Sequence, residues 1–189
     1  GTKARTVRLP LAPMCIIGAT TQAGMLSAPL RDRFGFTARL RLYNDEALAG
    51  IVMRSANVLG FEMTYDAAFQ VALRSRGTPR IANSLLRRVR DWTQVHGLEP
   101  TPENAVTALE AFGVDEAGLD RLGLDVLRVL CETFRGGPVG LTTLAAAVGE
   151  APSTLSEVYE PYLMSKRMLG RTPRGRIATP EAFEHLGLP

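Results

Sequence analysis

The residues of this chain best able to do chemistry are arginines. Arg31 and Arg33 lie in Pro-Leu-Arg-Asp-Arg-Phe-Gly (29–35), and Arg80 opens a predicted helix in Gly-Thr-Pro-Arg-Ile-Ala-Asn (77–83). Arg171, Arg174 and Arg176 crowd into Arg-Thr-Pro-Arg-Gly-Arg (171–176). A guanidinium keeps its charge at every accessible pH and grips phosphate bidentately, so this pattern points to phosphate chemistry or phosphate binding. Phe34 can anchor a helix end while Arg33 projects to a neighbouring surface; the plain alternative is a surface arginine paired with Asp32. Arg80 in a first helical turn sits at the positive end of the helix dipole, a costly place unless an anion lies near. Asp66 or Glu62 could also supply that charge.

The 171–176 cluster surrounds a Pro-Arg-Gly turn tip, which could straddle a phosphate backbone or enter a minor groove. The bland alternative is a solvated basic turn. The helix before it carries Glu157 and Glu160 and no basic residue until Lys166. Two carboxylates facing phosphates would repel, which favours backbone contact over base reading. Val7, Leu9 and Leu11 form an apolar face on an arm, equally able to pack on its own core or to dock a partner. His96 and His185 show no ligand-like companion in sequence, so metal and acid–base roles are not expected of them.

Composition sets the frame. The 189 residues are 46% hydrophobic and 22% charged, as in a globular protein. No apolar run approaches the ~20 residues of a membrane helix, and a cytoplasmic protein without membrane contact is expected. Cys15 and Cys131 have no paired spacing and read as buried thiols of a reducing compartment. The net charge of +3 is unevenly spread: residues 1–90 carry 14 basic and 5 acidic side chains, whereas 91–135 carry 3 and 9. Distinct faces for polyanions and for protein follow from that partition.

The elements that must position these residues are mostly helices. Residues 5–11 alternate as a strand that Pro10 confines to an edge, residues 14–19 read as a buried parallel strand, and residues 36–43 alternate again. Helices are then predicted from Asn44 to Gly60, from Thr64 to Gly77, from Thr78-Pro79 to about Val95, and from Thr101-Pro102 to Gly113, with N-caps and stops to match. Beyond an acidic, glycine-containing boundary at 114–122 come a helix at 123–134, a Gly-Gly-Pro turn, helices at 141–148 and 153–165, two short arms at 168–172 and 176–178, and a terminal helix capped by Thr179-Pro180. Three helices and a β-wing make the winged-helix pattern.

In this order the motifs resemble an AAA+ ATPase, and within it the RuvB family of Holliday-junction motors. The resemblance rests on Ile-Gly-Ala-Thr-Thr (17–21), the 29–35 and 171–176 segments, Arg-Gly-Thr-Pro-Arg-Ile-Ala-Asn (76–83), Leu-Leu-Arg-Arg-Val-Arg-Asp (85–91), Gly-Gly-Pro-Val-Gly-Leu (136–141) and Glu-Pro-Tyr-Leu (160–163). It implies an α/β remnant of the AAA+ core over 1–43, an all-α lid over 44–114 and a winged-helix DNA-binding head over 115–189, a mainly α chain. It implies that Arg33 is an arginine finger for the γ-phosphate of an adjacent subunit, and that Thr21, with Thr20 as competitor, is the polar sensor orienting the attacking water. Arg80 matches the second sensor and Tyr43 a ring against the nucleotide base. Val7, Leu9 and Leu11 match a hairpin that docks RuvA. ATP and magnesium, a hexameric ring, RuvA, the RuvC resolvase and Holliday-junction DNA are the implied cofactors and partners, in recombination and repair. The alternative from another class is a non-enzymatic winged-helix DNA-binding regulator.

The sequence departs from the family at its front. It holds no Gly-x-x-x-x-Gly-Lys-[Ser/Thr] and no apolar strand ending in Asp-Glu, and with no initiator Met it fits an internal fragment. The expected outcome is that the 189-residue chain alone hydrolyses no ATP. Magnesium-dependent turnover that tracks the purified chain and vanishes in Arg33→Ala would contradict this.

Overall fold

The computed structural model describes residues 12–20 and 23–189. The chain divides into two units, Gly1–Leu40 and Arg41–Pro189. Val7, Leu9, Leu11 and Thr21, together with the arm at 5–11, lie outside the described residues.

In the first unit the expected parallel strand at 14–19 does not form: residues 12–20 have no regular structure, and Ile17 is 90% exposed. Residues 36–43 likewise form no strand, with Phe36, Leu40 and Leu42 exposed. A strand is completed only by ladder partners, and among the described residues neither segment has one. Cys15 is exposed rather than buried, whereas Cys131 is buried as expected. Helix α1 (Ala28–Arg31) is a single turn, closed by Asp32 N–H bonding Ala28 O.

The second unit begins with four helices around one core: α2 (Asp45–Val58), α3 (Tyr65–Leu73), α4 (Pro79–His96) and α5 (Pro102–Ala111). Local chemistry sets their ends. Asn44 Oδ1, Thr64 Oγ1 and Thr101 Oγ1 accept from the backbone N–H of Ala47, Ala67 and Asn104, quenching donors that a helix start leaves open. Thr78 departs from that pattern, since its hydroxyl donates to Arg76 O instead. Helix α2 packs on α3 and α4, and α5 on α3 and α4. Leu48, Val52, Val71, Leu86, Val89 and Leu109 meet in the centre, each fully buried.

A second core follows, built on Leu119, Leu127, Leu130, Leu144, Leu155 and Leu163. Helix α6 (Arg121–Arg128) runs into a π-helical turn at Val129–Thr133, and α7 (Leu141–Val148) packs on α6. The predicted helix at 153–165 is α8 (Pro152–Thr154), a π-helical turn (Leu155–Tyr159) and α9 (Glu160–Ser165). Pro161 removes a backbone donor there, which suits the interrupted ladder. Strands β1 (Leu169–Thr172) and β2 (Gly175–Ala178) pair antiparallel with Arg171 opposite Arg176, and α10 (Pro180–His185) closes the chain. Val139 adds a third rung, exchanging backbone bonds with Arg176. Gly175 (φ +141°) is obligatory at this crossing, because a Cβ would stand 2.3 Å from Val139 O.

Leu86→Ala should destabilise the second unit by roughly 2–5 kcal/mol through lost transfer energy and the cavity left behind. A denaturant melt reads this directly; a loss under 1 kcal/mol would mean that the four-helix core is not packed as described.

Candidate functional site: an arginine cleft and a braced basic wing

Arg33 lies just after the single turn of α1 and is exposed. The ring of Phe34 lies over Gly18, its Cζ 3.5 Å from where a Cβ would be, and Arg33 is exposed beside it. The Arg33–Asp32 ion pair of the alternative reading does not occur among the described residues. Thr20 is exposed at the end of the 12–20 segment.

In the second unit, Arg80 occupies the first turn of α4 and is exposed, with no carboxylate partner among the described residues; neither Asp66 nor Glu62 reaches it. It lines a cleft of about 370 Å³ with Arg74, Arg76, Arg87, Arg88 and Ser84, where Asp120 is the one acidic side chain. Arg87 and Arg88 are both exposed and belong to a shared basic concavity. Arg88 also lies over the Phe112 ring at 5.5 Å, and Arg90 turns away to Asp91 at 2.7 Å. Arg74 Nη1 bonds Gln70 Oε1 at 2.9 Å, while its buried Nε has no partner. Tyr43 is brought to the same end of the bundle: its N–H bonds Gly77 O at 3.0 Å, three residues before Arg80, and its ring is half exposed rather than core. Guanidiniums, exposed ring and a helix N-terminus together suit the phosphate and base ends of a nucleotide. No group of three or more His, Cys, Asp or Glu that could hold a metal occurs among the described residues.

The wing is organised by a residue that the sequence reading placed wrongly. Glu160 does not face outward to repel phosphates; it is 1% exposed, and Arg171 and Arg176 close over it. Arg176 Nε donates to Oε1 at 2.7 Å and Arg171 Nε to Oε2 at 2.8 Å, with a second Arg171 contact from Nη2. Burial raises the Glu160 pKa, but hydrogen bonds from Arg176 and Arg171, and their charges, outweigh it and hold the carboxyl below its ordinary value. The three wing arginines thus differ. Arg176 is four-fifths covered, Arg171 half exposed, and Arg174 stands exposed at the tip without an ion pair among the described residues. Glu157 remains exposed on the preceding turn.

Other contacts were missed, one long-range and the rest local. His185, given no companion above, has one: Nε2 lies 2.8 Å from Asp115 Oδ2, tying α10 to the start of the second core. His96 is stacked on Trp92 at 4.2 Å. The acidic segment expected to be a boundary is in use as caps and anchors, for Asp115 accepts from Leu119 N–H and Asp120 from Gly123 N–H.

Three family descriptions match this chain in order: the Holliday junction DNA helicase RuvB P-loop domain over 1–40, the RuvB AAA lid domain over 43–115, and the RuvB C-terminal winged helix domain over 116–187. The chain belongs to the RuvB family. The Holliday junction branch migration complex subunit RuvB of Cutibacterium acnes is 55% identical over all 189 residues, and that of Thermobifida fusca 56%. The chain spans about half the length of these curated relatives, 55% and 54%. The RuvB Holliday junction branch migration motor of Thermotoga maritima superposes with a TM-score of 0.82 at 44% identity, over 88% of this chain and 56% of that one. A variant of the same Thermotoga protein gives 0.84 at 45% identity, over 90% and 57%. Family membership accounts for the lid and the winged helix, and with them for the mainly helical fold.

A lowered carboxyl pKa is a source of stability with a defined pH range. Glu160 contributes above the unfolded value of about 4.3, and that contribution is lost as pH falls through the lowered folded value. The stability gap between the parent and Glu160→Gln should therefore be widest above about pH 5 and narrow on acidification below about pH 4.3. Melts at stepped pH test this, and a gap that stays constant from pH 6 to 3 would refute it.

Proposed function

We propose that this chain is the sensing and DNA-gripping portion of an ATP-dependent motor that drives branch migration of Holliday junctions in recombination and repair. The carrying observation is the ordered RuvB match along the whole chain, from P-loop domain to lid to winged helix. The geometry is in keeping with it. In this reading residues 1–43 end the large ATPase domain, 44–114 are the lid and 115–189 the head. Arg80 takes the phosphate end of the nucleotide and Tyr43 its base. Arg33 reaches the phosphate held by the next subunit of a hexameric ring, where its charge meets that developing in phosphoryl transfer. Thr21 orients water for the same reaction, and Val7, Leu9 and Leu11 dock RuvA, with RuvC acting on the same junction in the cytoplasm. ATP carries the transferable phosphoryl group. Magnesium would accompany the nucleotide phosphates, held by few protein ligands as that ion ordinarily is.

At the DNA, the wing grips backbone. Arg174 at the exposed tip makes the principal phosphate contact and the outward face of Arg171 a second. Arg176 is engaged with Glu160 through Nε and Nη2 and shapes the turn. With Glu157 exposed nearby, base reading stays unfavourable, and a motor that travels along any sequence has no use for it. A free-standing regulator would have no need of the RuvB lid or of the segment matching the P-loop domain, and nothing in the relatives favours it.

A salt titration of binding to random-sequence duplex tests the wing. Each lost phosphate contact lowers the log–log slope by roughly 0.9. Arg174→Ala should remove about one unit, and the Arg171/Arg174/Arg176→Ala triple variant roughly 2, because Arg176 is engaged with Glu160. A triple variant that binds with the parent's slope removes the wing from the interface, and strong preference for one duplex sequence would turn the reading towards a regulator.

A further inference from the structure

Arg76 adopts φ +53°, in the left-handed region that L side chains rarely enter, and its side chain, though charged, is only 11% exposed. A non-glycine residue held there marks a place where the surroundings over-determine the backbone. Those surroundings belong to the other core. Arg76 Nε donates to Gly118 O at 2.7 Å, and Nη2 lies 3.1 Å from Asp120 Oδ2. The guanidinium also lies over the rings of Tyr159 and Tyr162, at 5.5 and 5.3 Å from their centroids.

The two rings are themselves fixed. The Tyr159 hydroxyl donates to Asp120 Oδ2 at 3.1 Å, and the Tyr162 hydroxyl to Ala117 O. Burial, only partly offset by Arg76, pushes the Tyr162 pKa up to about 12, so that phenol keeps its proton as a donor. The backbones close in as well: Gly118 (φ +74°) passes so near Arg74 that a Cβ would stand 2.5 Å from Arg74 O. The Arg76 contacts and the Gly118–Arg74 approach join the turn after α3 to the head, and the two tyrosine hydroxyl bonds fix the head's side of that joint. The same turn leads through Gly77 and Thr78 into α4, whose first turn bears Arg80.

We propose that Arg76 is a positioning residue that locks the lid and the winged-helix head into one body, so that a displacement of the Arg80 end of the lid is passed to the wing. What displaces the lid rests on the motor reading above; the joint itself rests on the geometry alone. Arginine suits the post because its planar cation can donate edge-on to a carbonyl and a carboxylate while its faces meet aromatic rings. Lysine would keep the charge and lose the plane.

The joint can be tested in the full 189-residue chain carrying Cys15→Ser. Spin labels go on cysteines replacing Val58 in the lid and Val158 in the head, both exposed, and pulsed electron resonance measures the distance between them. Arg76→Gly accepts the left-handed backbone without the side chain, and Arg76→Lys retains a cation for Asp120. The parent should give a single narrow distance. Arg76→Gly should at least double its width, and Arg76→Lys should fall between, with helical circular dichroism kept in both. Should Arg76→Gly fail to fold, the Arg76→Lys width decides. Widths equal to the parent's, even with a lower Tm, would reduce Arg76 to a merely stabilising residue and overturn the proposal. Duplex binding measured on the same samples separates the two readings, because a parent that binds no DNA sinks the motor reading while leaving the distance result intact.

Discussion

A guanidinium cannot give up its charge, and in this chain that constraint decides what each part is for. Where arginine is covered, an acceptor is built around it: Gly118 O and Asp120 for Arg76, and Glu160 for Arg176 and half of Arg171. Where the sequence places arginine without an acceptor, it is exposed at a helix start or a turn tip, as at Arg80 and Arg174. The first group consumes its hydrogen-bonding capacity in holding the fold. The second group has that capacity left for an external anion.

Glu160 shows the same constraint from the acidic side. A lone carboxylate at this depth would be strongly disfavoured. With two guanidiniums on it the ion survives, and the helix before the wing becomes fastened to both wing strands at once. Removing one partner from such a group leaves an uncompensated charge, so the three residues stand or fall together. The wing's tip can then be exposed and basic while its base stays rigid.

How much of this was legible in sequence follows from the range of each interaction. The helices of the lid were readable because their signals are local. Asn44, Thr64 and Thr101 each cap within three residues, and the apolar positions recur at helical spacing. The wing was readable because Pro-Arg-Gly marks its turn. Glu160 was misread because its partners lie 11 and 16 positions away. His185 and Asp115 are 70 positions apart, and Arg76 and Gly118 42, so no window of periodicity could join them. The strand expected at 14–19 failed for a related reason. An apolar run specifies a wish to be buried, while a strand exists only with a neighbour to complete its ladder.

The joint between lid and head is polar, and this has a consequence for how the second unit works. The two leucine-rich clusters do not merge; each closes on itself. Apolar contact between them would be non-directional and would tolerate sliding. A hydrogen bond at 2.7 Å and an ion pair at 3.1 Å tolerate little, because their strength falls steeply with misalignment. A charged side chain threaded from one core into the other therefore fixes an orientation as well as a distance. At this joint the two cores are held by Arg76, in an unfavoured conformation, and by the close pass of Gly118 over Arg74. A mechanism that must turn a change at one end into a movement at the other requires that kind of connection.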